Sequence, residues 1–178
     1  MSVAPHQVMA GFLLAVALSG GLLDLLTRRI PNWLTFPAVA VALAWNGYRG
    51  GWRGLLLAVG GLALGLLVFL PFFALGGMGA GDVKLMAAIG AISGPQALLA
   101  IFIFTGLLGG IAGLALAAAR RRLRGTLANT VRLLAQLSRL RWDEARAAAP
   151  QASLRLPYGV VIAGGCVLFL LMQAGTLL

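Results

Sequence analysis

Apolar residues in this chain run in blocks much longer than the core elements of a soluble protein, and the polar residues collect between the blocks. Val8 to Leu26 is apolar apart from Ser19 and Asp24, which is enough to cross the hydrocarbon core of a bilayer as a helix. Trp33 to Tyr48 predicts a second, shorter span. Gly54 to Leu75 predicts a third, which is rich in glycine and is expected to kink at Pro71. Asp82 to Ser93 is a short fourth segment broken by Gly94-Pro95, and Gln96 to Ala119 is a long fifth that ends at Arg120-Arg121-Arg122. Leu156 to Leu178 predicts the last. Pro31 is placed to open the second span, where a missing amide hydrogen does no harm. Tyr48 to Arg53 reads as an interfacial loop.

Between Gly125 and Ala149, Leu127, Val131, Leu134 and Leu137 or Ser138 repeat at helical spacing. Arg132, Arg139 and Arg146 recur on another face. This pattern predicts a helix lying on the membrane surface. The expected fold is all-α, a polytopic membrane helical bundle with about six transmembrane helices and one amphipathic surface helix. Residues 1–178 are expected to form a single membrane-embedded domain with a basic insert at about 120–155.

Composition narrows the class. The chain is 61% hydrophobic and 10% charged, with a mean hydropathy of +0.97, which excludes an ordinary soluble domain. A net charge of +10 would suggest nucleic acid in a soluble protein. Here most of the basic residues form one block between apolar spans, so anionic membrane lipids are the expected partner and nucleic acid is not. Placing the 120–155 region in the cytoplasm puts twelve basic residues inside, with Arg28, Arg29 and Lys84 among them, and leaves only Arg49 and Arg53 outside. Both chain ends are then expected outside, with Trp33 and Tyr158 near the inner interface and Trp45, Tyr48 and Trp52 near the outer. Met1 to Gln7 has no Lys or Arg, the wrong polarity for a cleavable signal, so the first helix is expected to be retained. Cys166 is the lone cysteine and suits a buried small hydrophobe. His6 is assigned no role. The chain has no phosphate loop, dinucleotide fingerprint, metal-ligand spacing or Ser-His constellation, so neither a metal nor a cofactor is expected.

Four acids are present, and two of them, Asp143 and Glu144, lie in the polar insert. The other two are the candidates for chemistry. Asp24 ends a span descending to the cytoplasmic side, and Asp82 begins one rising from that side, beside Gly76, Gly77, Gly79 and Gly81. An acid at membrane depth needs a reason. Two carboxylates about 3 Å apart resist joint ionisation, and such a pair can run acid and base chemistry on a peptide bond. Structural roles compete with this. Asp24 could pair with Arg28 one turn on, Asp82 could cap its own helix, and Lys84 could be a snorkelling charge. The glycines could form a turn, or could admit a substrate backbone. Pro157-Tyr158-Gly159, expected at the same level, could be a helix cap and interfacial anchor. At the level of the whole chain, a small transporter or channel with Asp24 and Asp82 lining a polar path is the main alternative, and a structural assembly subunit is another.

Three separated pieces then carry a resemblance. Asp24 with Arg29-Ile30-Pro31-Asn32, Gly79-Ala80-Gly81-Asp82-Val83-Lys84-Leu85, and Leu156-Pro157-Tyr158-Gly159 together resemble the prepilin peptidases, membrane aspartyl proteases of the Gly-x-Gly-Asp type. The resemblance implies cleavage of the short basic leader from type IV pilin-like precursors at the cytoplasmic face of a bacterial inner membrane. Asp24 and Asp82 are then the expected catalytic pair. Gly79, Gly81, Lys84, Asn32, Pro157, Tyr158 and Gly159 are expected to support the site or bind substrate. Larger members carry a cysteine-bearing cytoplasmic region and methylate the new N-terminus. This chain lacks those cysteines and is similar to the small peptidases of tight-adherence (Flp-type) pilus systems.

Overall fold

The computed structural model describes residues 5–74, 78–119 and 157–175, and among these every regular element is a helix. Helix α1 is Pro5–Thr27, α2 is Asn32–Ala74, α3 is Ala80–Ala119 and α4 is Tyr158–Gly175. Among the described residues, four helices are long and apolar enough to cross a membrane. The six expected spans fall on these four helical elements: the second and third predicted spans join as α2 across Gly51, and the fourth and fifth join as α3 across Gly94. The predicted surface helix between Gly125 and Ala149 lies outside the described residues, as do Gly76 and Gly77.

The two long helices do not run straight. At about 1.5 Å per residue, the 43 residues of α2 would reach roughly twice the thickness of a bilayer core. Gly51 breaks α2 with φ 56° and ψ −146°, and Gly94 breaks α3 with φ 79° and ψ 171°, both conformations that favour glycine. The packing shows that each break is a reversal. The start of α2 meets the start of α3 where Asn32 bonds Lys84, and Asn46 later reaches the Ala91 carbonyl at 3.3 Å, so these segments run the same way. The second half of α2 runs the other way along the same stretch of α3, with Gly61 against Gly90 and Gly65 against Met86 and Ala87. Gly54 accordingly lies against the Asn46 carbonyl, eight residues back, which a continuous helix would hold well away.

The Gly94-Pro95 break stands where the sequence placed it. The loop expected at Tyr48 to Arg53 is instead helical on both sides of Gly51, because one glycine in a conformation other residues avoid is enough to turn the chain. Pro71 leaves the backbone helical to Ala74, and Pro31 lies just before α2, its carbonyl accepting from Leu34 N at 3.2 Å.

Glycines set how near the helices come. A Cβ on Gly61 would collide with the Gly90 carbonyl, so the two backbones touch directly. Leu13, Val16 and Ala17 of α1, Leu85, Met86 and Ile89 of α3, and Ile162 and Cys166 of α4 form the centre of the core. Close van der Waals contact of this kind is what associates helices in lipid, where burial of apolar surface supplies little drive. The apolar residues Trp33, Tyr48, Trp52, Leu67, Ile103 and Ile111 face outward, as they would toward lipid tails or headgroups.

Candidate active site

The end of α1, the short 28–31 connection, and the first turns of α2, α3 and α4 all gather at one end of the bundle. Helix α1 stops at Thr27, whose hydroxyl donates to the Leu23 carbonyl at 2.8 Å. Arg28 then takes a left-handed φ of 55° while its N–H still donates to the Asp24 carbonyl at 2.9 Å. This left-handed cap turns the chain sharply out of the helix. Asp24 therefore sits in the last turn of α1 with its side chain inward, only 8% exposed.

Asp82 enters from the other direction. Gly79 caps α3, and the Asp82 N–H donates to the Gly79 carbonyl at 3.1 Å. In return the Gly79 N–H donates to Asp82 Oδ2 at 3.0 Å, the back-bond of a capping box. The capping role is thus real for one carboxylate oxygen. Asp82 is also 8% exposed, and it lies close enough to Asp24 for the two to interact electrostatically. Asp24 and Asp82 are two of only four buried polar or charged side chains among the described residues, the others being Thr35 and Thr105.

The remaining predicted residues surround this pair. Gly159 N donates to Asp24 Oδ2 at 2.8 Å, so the first turn of α4 touches the carboxylate directly. Tyr158 is half-buried against Gly109 and within electrostatic reach of Asp82. Pro157 precedes it and closes the turn, its carbonyl accepting from Val160 N at 3.1 Å. Lys84 Nζ donates to Asn32 Oδ1 at 2.9 Å and lies 5.7 Å from the centre of the Phe36 ring.

The two motif glycines have different surroundings. A Cβ on Gly81 would meet Ile30 Cβ at 2.9 Å, so the space beside Gly81 is filled by the chain's own 28–31 connection. Gly79 is exposed, and among the described residues a Cβ there would meet Asp82 Oδ2 at 3.2 Å and Gly81 N at 4.0 Å. Among the described residues, the side of Gly81 is filled and that of Gly79 is not. Sequence reasoning gave no role to Ile30, Phe36 or Gly21. Ile30 could have been suspected, because it is an apolar residue fixed between Arg29 and Pro31 in a short connection. The other two are ordinary apolar-span residues, and nothing local marks them.

Chemically, this end of the bundle offers two buried carboxylates, each tied by one backbone N–H through its Oδ2 atom, at the boundary between apolar packing and exposed Gly79 and Asn32. Such a pair can hold one proton between two sites and polarise a bond placed against it. Neither a curated protein nor a solved structure matches the chain. The model of the Type IV leader peptidase family matches residues 10–114, a stretch that contains Asp24, Asn32, Gly79, Gly81, Asp82 and Lys84 but ends before α4. Because that match takes in more than half of the 178 residues, the chain belongs to the type IV leader peptidase family and is a peptidase.

Proposed function

We propose that the chain is an intramembrane aspartic endopeptidase that removes the basic leader from type IV pilin-like precursors. The observation that carries this reading is the convergence of Asp24 and Asp82, two buried carboxylates from different helices, at one end of the bundle. In the proposed step one carboxylate takes a proton from water as the water oxygen bonds to the scissile carbonyl carbon. The other, protonated, donates its proton to the carbonyl oxygen. Collapse of the tetrahedral intermediate then breaks the C–N bond: the departing nitrogen takes the proton that the first carboxylate removed from water, and the second carboxylate recovers its proton from a hydroxyl of the intermediate.

The reading extends to topology. Each half of α2 and of α3 is taken as one crossing, with the reversals at Gly51 and Gly94 and the aspartates toward the cytoplasm. The basic residues support this side through the positive-inside rule, and the membrane is then a bacterial inner membrane. A precursor's basic leader drawn to anionic headgroups, with its apolar helix in the bilayer, would present the scissile bond at the depth of the acids. Exposed Gly79 is the place for substrate backbone to approach Asp82. The whole chain is read as one peptidase domain that uses neither metal nor cofactor. Family membership counts against the transporter or channel reading.

Co-expression with a pilin-like precursor tests the proposal by the shift in precursor size. Wild-type protein should process it. Asp24→Asn and Asp82→Asn should each lose at least about a thousandfold in rate while still inserting and accumulating, as removal of a residue of a catalytic unit does. Processing by either variant at the wild-type rate would sink the assignment.

A further inference from the structure

The family match ends at Leu114, yet the carboxylate of Asp24 is held by a helix beyond it. Gly159 lies in the first turn of α4, where the N–H groups have no partner within the helix. Val160 N is satisfied by the Pro157 carbonyl, and Gly159 N is satisfied by Asp24 Oδ2 at 2.8 Å. The contact is buried, so neither group has water as a substitute, and leaving either unpaired at membrane depth is strongly unfavourable.

The bond also requires glycine. A Cβ on residue 159 would stand 2.7 Å from Asp24 Cβ, 3.1 Å from Oδ2 and 3.2 Å from Cγ. Asp24 Cβ is fixed to the α1 backbone and cannot swing away as the tip of a long side chain could. One turn earlier on the same face of α1, Gly21 faces α4 in the same way, and a Cβ there would meet the Gly159 carbonyl and Ala163 Cβ, both at 3.0 Å. The backbones of α1 and α4 thus meet directly beneath the carboxylate.

We infer that Gly159 is a positioning residue for Asp24: its N–H sets the direction of the carboxylate, and its missing side chain admits the carboxylate to that place. The inference rests on the reading of Asp24 as catalytic. It makes the first turn of the last helix the support that aims the Asp24 carboxylate, although that turn contributes no reacting atom.

The test uses the full chain in detergent or vesicles with a pilin-like precursor, with rates expressed per folded protein. Gly159→Ala should lower kcat by about a hundredfold, the scale set by a misplacement near 1 Å, while KM stays within a few fold. Gly164→Ala in the same helix, which meets only the Leu108 side chain, should keep wild-type kcat. A chain with glycolic acid in place of Gly159 exchanges the amide N–H for an ester oxygen at nearly constant shape, and should lose about tenfold or more in kcat. This chain decides the matter if Gly159→Ala fails to accumulate. Wild-type kcat in the ester chain, or in folded Gly159→Ala, would overturn the inference. Asp24→Asn, measured alongside, reports on the underlying reading separately: activity in that variant removes Asp24 from catalysis whatever Gly159 does.

Discussion

Lys84 Nζ donates a 2.9 Å hydrogen bond to Asn32 Oδ1, joining the first turn of α3 to the first turn of α2 across 52 residues of sequence. The ammonium also lies over the Phe36 ring, one turn further along α2. Two pieces of the sequence motif are therefore in direct contact, and Lys84 is more than a snorkelling charge. With Asp82 two residues before Lys84, and Ile30 packed on Gly81, the clamp ties the entry of α3 to the connection that follows Asp24.

A double-mutant cycle measures this clamp. Lys84→Met and Asn32→Ala should each lower stability or processing, and the double variant should lose less than the sum, with a coupling of about 1 kcal/mol because the pair is partly exposed. Thermal denaturation in detergent and initial cleavage rates both read the coupling. Strict additivity would mean that the contact contributes nothing.

Gly60 and Gly61 are neighbours in α2 with opposite surroundings. A Cβ on Gly60 meets nothing within 4 Å, whereas one on Gly61 strikes the Gly90 carbonyl. Gly60→Ala should stabilise the fold by up to about 1 kcal/mol through helix propensity. Gly61→Ala should destabilise it by about 1–3 kcal/mol, since only movement of a whole helix relieves the overlap. Melting temperatures of the two variants should move in opposite directions.

The pH dependence of cleavage tests the proposed shared proton. Catalysis needs one carboxylate ionised and the other protonated. Activity should fall toward low pH, where the base is protonated, and toward high pH, where the acid has ionised, giving a bell whose two limbs belong to the pair. The measurement is kcat/KM for precursor cleavage across the range in which the wild-type protein stays folded. A flat profile would count against the mechanism.

Much of this was legible because it is local. Long apolar blocks can only be helices in a bilayer, where every backbone polar group must be satisfied within the segment. That constraint determined the all-helical class, the break at Gly94-Pro95, and the inward importance of Asp24 and Asp82, since an acid inside an apolar block stands out by composition alone. The Gly51 reversal was less visible. A glycine among glycines does not reveal which one will take the unusual backbone conformation, and a loop was expected where helices nearly meet.

Facing and contact belonged to the tertiary structure. In a soluble protein the polar side of a helix reveals its buried side, but here the outward-facing Leu67 is as apolar as the buried Leu85, so periodicity carries little information about orientation. Only the packed helices decide that the space beside Gly81 belongs to Ile30, that Lys84 reaches Asn32, and that Gly159 meets Asp24. Each of these depends on how closely two backbones approach, a quantity set by small residues on both partners at once and written in neither stretch alone.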